Sequence, residues 1–167
     1  MIIYKTTKLK LGENMLEIYN IKDKMEYIKE VAELTQRQWG SKLNSIQEFN
    51  DKVNKKMDKI ISNLDNKYYC KLILLDNEKL IGFISIFESD SEEKKDLSPW
   101  YATMFVKDEY RKRGYSKILN DAILEEARKR NFKKIYLKTD LENYYEKFGA
   151  KYIEKLKNGE KLYYFEL

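Results

Sequence analysis

The sequence predicts an α/β (α+β) fold, a mixed sheet with helices on both faces. Two observations carry this. Apolar residues recur at helical spacing from Asp23 to Leu64 and then give way to β-rich runs from Tyr68 onward. The elements also follow one another as strand, two helices, three strands, helix, strand, helix and hairpin, an order that asks for a sheet covered on two sides. No repeat, low-complexity stretch or Pro/Gly-rich linker divides the 167 residues, a length that supports a single domain with a substantial core.

"MLEIYNI" (15–21) is a short strand. With Asp23 as N-cap, Met25, Ile28, Val31, Ala32 and Thr35 mark a first helix. A second follows Ser45, with Ile46, Phe49, Val53, Met57, Ile60 and Leu64 as the face packed on the core. "YYCKLILL" (68–75) and "KLIGFISIF" (79–87) form a hairpin, and "WYATMFV" (100–106) is the next strand. A helix covers 116–130, with Ile118, Leu119, Ala122, Ile123 and Ala127 on one face. "KKIYLK" (133–138) is a strand, and a short helix is expected over about 141–148, ending at Gly149. The last two strands flank Asn158-Gly159, the strongest short hairpin signal.

One domain is expected over 15–167, with 1–14 an N-terminal extension. Gly12-Glu13-Asn14-Met15 permits the codons GGA-GAA-AAT-ATG, a purine-rich element before a start codon as at a bacterial ribosome-binding site. The first fourteen residues then read as translated leader. The alternative is an extra strand, "IIYKTTKLKL", on a sheet edge.

Composition narrows the chemistry. The chain has no histidine, which removes His-based catalysis and His-ligated metals, and no metal is expected. Cys70 is the only cysteine, so no internal disulfide forms and a cytoplasmic setting is expected. No apolar run reaches the roughly 20 residues of a membrane span, and "MIIYKTTKLK" lacks the apolar core of a signal peptide. Lys and Arg outnumber Asp and Glu by 33 to 28, an excess spread along the chain that suits a small anionic ligand at least as well as a nucleic acid.

One stretch breaks a local rule. "EYRKRGYSKIL" (109–119) places Arg111, Lys112, Arg113 and Lys117 around Gly114, where an amphipathic helix begins. The N-terminal end of the helix dipole is itself positive, so cations are unfavourable there. A helix start offers free N–H groups, and a glycine lets the backbone approach a ligand, so the turn reads as a phosphate site. The bland alternative is a solvated basic loop. Neither the P-loop pattern nor G-x-G-x-x-G is present.

Arg111-x-x-Gly114-x-Ser116 resembles the R/Q-x-x-G-x-G/A turn of the GNAT superfamily, the acyl-CoA-dependent N-acyltransferases. "FVKDEYRKRGYSKIL" is similar to that family's "V-x-P-E-Y-R-G-x-G-I-G-x-x-L" segment, and "NYYEKFGA" (143–150) to its "lYEKxGF" segment. The resemblance covers about 15–167. It implies a GNAT-like, mostly antiparallel central sheet whose fourth and fifth strands, here "YATMFV" and "KKIYLK", splay at a bulge. It implies acetyl-CoA as co-substrate, with the backbone N–H groups of Arg111, Lys112, Arg113, Gly114, Tyr115 and Ser116 on the pyrophosphate. Phe105 and Val106 would offer backbone groups to the pantetheine arm, and an N–H of that strand would polarise the thioester carbonyl. Tyr145 matches the tyrosine that protonates the leaving thiolate, with Tyr144 as backup. Two departures stand out: Ser116 replaces Gly or Ala, and Lys107-Asp108 replaces x-Pro.

The base is less marked. Glu88, at the end of "GFISIFE", is the candidate, directly or through water; its ordinary reading is an exposed acid at a strand end. Cys70, in an apolar strand without histidine, reads as an inert buried thiol rather than an acyl carrier. The acidic stretch 88–96 could attract a cationic amine, and Trp39 and Trp100 are candidate walls or cation–π surfaces for it, or else core. The expected reaction is direct acetyl transfer to a primary amine: a polyamine-like or aminoglycoside-like molecule, a peptide N-terminus or a lysine. A non-catalytic acyl-CoA sensor is the alternative. No nucleic acid or membrane partner is expected, the acidic stretch weighing against the former, and the chain is expected to act as a monomer or homodimer.

Overall fold

The change of period near residue 66 is a change from helices to sheet in the structure, a computed structural model that describes residues 7–11 and 14–167. The strands are β1 (Thr7–Leu11), β2 (Asn14–Asn20), β3 (Cys70–Asp76), β4 (Lys79–Phe87), β5 (Trp100–Val106), β6 (Lys134–Thr139), β7 (Lys151–Lys155) and β8 (Lys161–Glu166). The helices are α1 (Ile28–Trp39), α2 (Ile46–Ser62) and α3 (Tyr115–Lys129). The strands form one sheet in the order β1-β2-β3-β4-β5-β6-β8-β7, antiparallel at every junction except β5–β6. Of the N-terminal extension, residues 1–6, 12 and 13 lie outside the described residues, and β1 pairs along β2 at the sheet edge.

The apolar faces set the layers. Ile28 and Val31 of α1 and Ile60 of α2 pack with Ile73, Leu75 and Phe83 on one face of the sheet. Leu119, Ile123 and Ala127 of α3 cover Leu72, Leu74, Ile84 and Ile86 on the other. Burial at roughly 25 cal/mol per Å² of apolar surface is what holds both layers on. Interior strands such as β3 are thus buried on both sides, and six of its seven residues are buried.

Two expectations are corrected. The first helix does not start at Asp23: Asn20 caps a 3₁₀ turn at Ile21–Asp23 by accepting from Lys22 N–H at 3.1 Å, a second turn covers Met25–Tyr27, and α1 starts at Ile28. Nor is 141–148 a helix. Only Glu146–Phe148 form a 3₁₀ turn, because Asn143 adopts a left-handed φ of 54° that no helix continues through. By contrast, Ser45 caps α2 as expected, its Oγ accepting from Glu48 N–H at 3.1 Å.

Candidate active site

The basic turn closes on Gly114, the N-cap of α3, at φ 81° with no side-chain cap. Lys117 and Ile118 N–H reach back to the Gly114 carbonyl. Among the described residues, the backbone N–H groups of Lys112, Arg113, Gly114, Tyr115 and Ser116 have no backbone acceptor. A Cβ on Gly114 would meet no atom within 4 Å, so the turn is open to a ligand. Free donors at a helix start, among four cations, make a fitting cradle for a diphosphate. Arg111 departs from the sequence reading. Its N–H donates to the Asp108 carbonyl at 3.2 Å. Its side chain donates to the Val106 carbonyl at 3.0 Å and pairs with Asp108 at 2.8 Å. Arg111 therefore ties the turn to the end of β5 through its backbone N–H and part of its guanidinium, and it still lines the cleft beside the turn.

β5 explains the opening beside this turn. Phe83 pairs with Phe105 and Ser85 with Ala102, so Thr103 and Met104 stand opposite Ile84 alone. This is a β-bulge, and Thr103 holds a φ of 50°, costly for a β-branched residue. On its other side β5 pairs with β6 only at Trp100–Tyr136, and the two strands then part. Gly82 lets β4 approach this region: a Cβ there would lie 2.3 Å from the Phe105 carbonyl oxygen.

Two clefts meet at the parted strands. One, of about 620 Å³, is lined by Phe105, Val106, Lys112, Gly114, Tyr115 and Ser116, among others. The other, of about 880 Å³, lies toward Trp39, Asp90, Thr103, Lys138, Asp140 and Glu160. Gln38, Met104, Leu141 and Tyr145 line both. Tyr145 packs edge-on to Tyr101 at 5.7 Å and to Tyr144 at 4.9 Å. Burial, with Tyr144 as a smaller cause, raises its phenol above the ordinary tyrosine value, so it stays protonated. The second cleft carries Asp90, Asp140 and Glu160 against Lys138. Burial raises the Asp90 carboxyl, against the pull of Lys138, which itself pairs with Glu160 at 3.3 Å.

Other expected residues fall elsewhere. Trp100 is fully buried against Leu156 and Leu162, its indole donating to the Leu97 carbonyl at 2.7 Å, and is core instead of a cleft wall. Trp39 is 48% exposed, lines the second cleft and stands edge-on to Phe83 and Phe105. Glu88 is exposed and lines neither cleft, whereas Asp90, two residues on, does. Cys70 is buried, and burial pushes its thiol up to about 12.

The sequence reading passed over Lys71, although a lone cation inside "YYCKLILL" is a visible signal. It is 3% exposed, and its Nζ donates to Ser85 Oγ at 2.5 Å. Ser85 Oγ in turn lies 2.7 Å from Thr103 Oγ1, at the bulge and on the wall of the second cleft.

Among solved structures, the chain is similar to an acetyltransferase from Streptococcus agalactiae, at 20% identity over 91% of this chain and 98% of that one, with a TM-score of 0.63. It is similar to PaiA N-acetyltransferase from Thermoplasma acidophilum in complex with coenzyme A, at 19% identity over 91% and 99% of the two chains, TM-score 0.62. An aminoglycoside 6'-N-acetyltransferase complexed with coenzyme A aligns at 17% identity over 89% and 96%, TM-score 0.67. At these identities the likeness speaks for the fold. No curated protein matches the sequence. The acetyltransferase (GNAT) family model matches residues 28–150, most of the chain, and on that match this chain belongs to the GNAT acetyltransferase family.

Proposed function

We propose that the protein transfers an acetyl group from acetyl-CoA to a primary amine by direct attack. The observation that carries this reading is the sharing of Met104 and Tyr145 by two clefts, one ending at the anion-seeking turn and one lined by carboxylates. Two neighbours solved with coenzyme A support it.

The chain's own groups have separate tasks. Lys112 to Ser116 offer backbone donors to the diphosphate, and the local cations offset its charge. Phe105 and Val106 line the cleft where the acyl arm would run along the free side of β5, with backbone N–H groups there to polarise a carbonyl. Tyr145, protonated and at the junction, gives its proton to the departing sulfur. Asp90, Asp140 and Glu160 draw a cationic amine to the opposite mouth, where Trp39 supplies an apolar wall.

The test has two arms. Isothermal titration with acetyl-CoA reads the cofactor side. Release of free thiol in the presence of spermidine, kanamycin and lysine-containing peptides reads the transfer. Binding with turnover of one amine class is expected. Binding without turnover of any amine would favour the sensor reading, and an absence of binding would refute both.

A further inference from the structure

We propose that Thr103, Ser85 and Lys71 form a proton relay that withdraws a proton from the acceptor's ammonium group and carries it into the interior of the sheet. This rests on the acetyl-transfer reading above and supplies the step that reading lacks. An amine attacks a thioester only once its nitrogen has a free lone pair, and a primary ammonium is protonated at neutral pH. Glu88, the sequence candidate for the base, lines neither cleft.

The geometry is continuous. Thr103 lines the acceptor-side cleft, and its Oγ1 is 2.7 Å from Ser85 Oγ, which is 2.5 Å from Lys71 Nζ. The three residues lie on adjacent strands, β5, β4 and β3. The bulge turns Thr103 out of strand register, and its left-handed backbone persists with its hydroxyl bonded to Ser85. Strain of this kind at a cleft wall is what a positioned functional group costs.

The surroundings of Lys71 suit a base. Among the described residues no carboxylate pairs with it. The charged and titratable groups that act on it are Lys59 and Lys56 of α2, both cationic, and the Cys70 thiol on its own strand. Phe83 and Phe87 of β4 lie 5.0 and 5.6 Å from its Nζ and give an ammonium some compensation. Burial, opposed by Cys70 and joined by the charges of Lys59 and Lys56, lowers the lysine to about 7, so a good share of it is neutral at physiological pH and ready to accept a proton.

The acceptor ammonium gives one proton to Thr103 Oγ1 as the Thr103 hydroxyl passes its own to Ser85 Oγ and the Ser85 hydroxyl passes its own to Lys71 Nζ. The freed amine forms the C–N bond and the C–S bond breaks. Tyr145 protonates the sulfur, and the second proton shed by nitrogen restores the Tyr145 phenol. One proton remains on Lys71 and returns through the same hydroxyls to solvent when the amide has left. Lys71 touches no substrate and acts through Thr103.

Two measurements test this. The first needs no acceptor: the ε-carbon of Lys71 is followed by NMR against pH in ¹³C-lysine-labelled protein and assigned by its loss in Lys71→Met. A titration near 7 supports the relay, and an ammonium that persists to pH 10 overturns it. The second is the pH profile of kcat/KM with whichever amine of the panel turns over. Lys71→Met and Thr103→Val should each lose ~10²-fold at pH 7, with the deficit shrinking toward pH 10 as solvent deprotonates the amine. Thr103→Ser should recover most of what Thr103→Val loses. A deficit of equal size at every pH would mean a packing role and overturn the relay. Failure of the wild-type protein to bind acetyl-CoA would instead refute the acetyl-transfer reading, which the NMR titration does not touch.

Discussion

Lys71→Met keeps an unbranched stem in the sheet and deletes the ammonium, and its effect on stability follows from the burial of Lys71. The native lysine is lowered to about 7, while an unfolded lysine sits near 10.4. Between those values the unfolded chain binds a proton that the native protein does not, so this group makes stability rise with pH. At pH 7 the difference amounts to about 4 kcal/mol against folding, at 1.36 kcal/mol per unit. By pH 8.5 it has eased by about 1.6 kcal/mol. Losing the bond to Ser85 costs the variant about 1 kcal/mol. Lys71→Met is therefore expected to be more stable than the wild type by roughly 2–4 kcal/mol at pH 7, with the gap narrowing toward pH 8.5. Cys70 sets the upper edge of the window. Its native thiol is pushed up to about 12, so above the unfolded value of about 8.5 the native protein holds the extra proton and stability falls with pH, in wild type and variant alike. Urea unfolding of both proteins at pH 7, 7.75 and 8.5 reads the gap. Parallel curves, or a variant less stable at pH 7, would refute a neutral buried lysine.

Three further substitutions probe the clefts. Gly114→Val forces a β-branched residue to φ 81° in open space, so it should cost about 1–3 kcal/mol of stability while weakening acetyl-CoA tenfold or more by titration; unchanged affinity would remove the turn from the site. Tyr145→Phe keeps the ring contacts with Tyr101 and Tyr144 and should lower kcat by ~10² with acetyl-CoA affinity little altered; a wild-type kcat would leave Tyr145 a packing residue. Gly82→Ala drives a methyl to 2.3 Å from the Phe105 carbonyl and within 3.2 Å of Leu119, so thermal unfolding should register a loss of about 1–3 kcal/mol and acetyl-CoA binding should weaken with it; a neutral variant would mean that β4 and β5 can slide apart there freely.

The parts of the fold that obey a period were legible. Val53 and Ile60 of α2 are buried where the 3–4 rhythm puts them, although Ile46 at the start of the same stripe is 78% exposed, and the cations crowding Gly114 pointed to a helix start that wants an anion. Where a period was imitated by something else, the reading slipped. Leu141, Tyr144, Tyr145 and Phe148 have helical spacing, yet the rings of the three aromatics pack on one another around a left-handed Asn143. Aromatic stacking within a loop and a helix face leave the same mark in sequence. The two tryptophans could not be told apart for a related reason: Trp100 opens a strand beneath Leu156 and Leu162, Trp39 closes a helix beside a cleft, and only the tertiary packing separates them.

The bulge was expected only through the family resemblance and was not legible in the residues themselves, because an extra residue in a strand changes no composition and shifts the alternation only from Thr103 onward. Its partner left a trace all the same. A lysine among apolar residues in an edge strand can snorkel to water, but β3 lies between β2 and β4 with helices over both faces. A cation at position 71 therefore has to be lost, paired or neutral. No carboxylate stands opposite it in "GFISIFE", where the sequence places Ser85 between Phe83 and Phe87. A hydroxyl satisfies a neutral amine and serves an ammonium poorly in a dry interior. The hydroxyl that continues the chain, Thr103, sits in the two-residue bulge, with Met104, where β5 leaves its register. Removing the bulge by deleting one residue of the Thr103–Met104 pair would restore the ladder and take the hydroxyl off the cleft wall. Such a variant should be folded and slow in transfer at pH 7, with acetyl-CoA bound less tightly because Met104, Phe105 and Val106 line the cleft beside the basic turn. Full transfer at that pH would separate the bulge from proton removal.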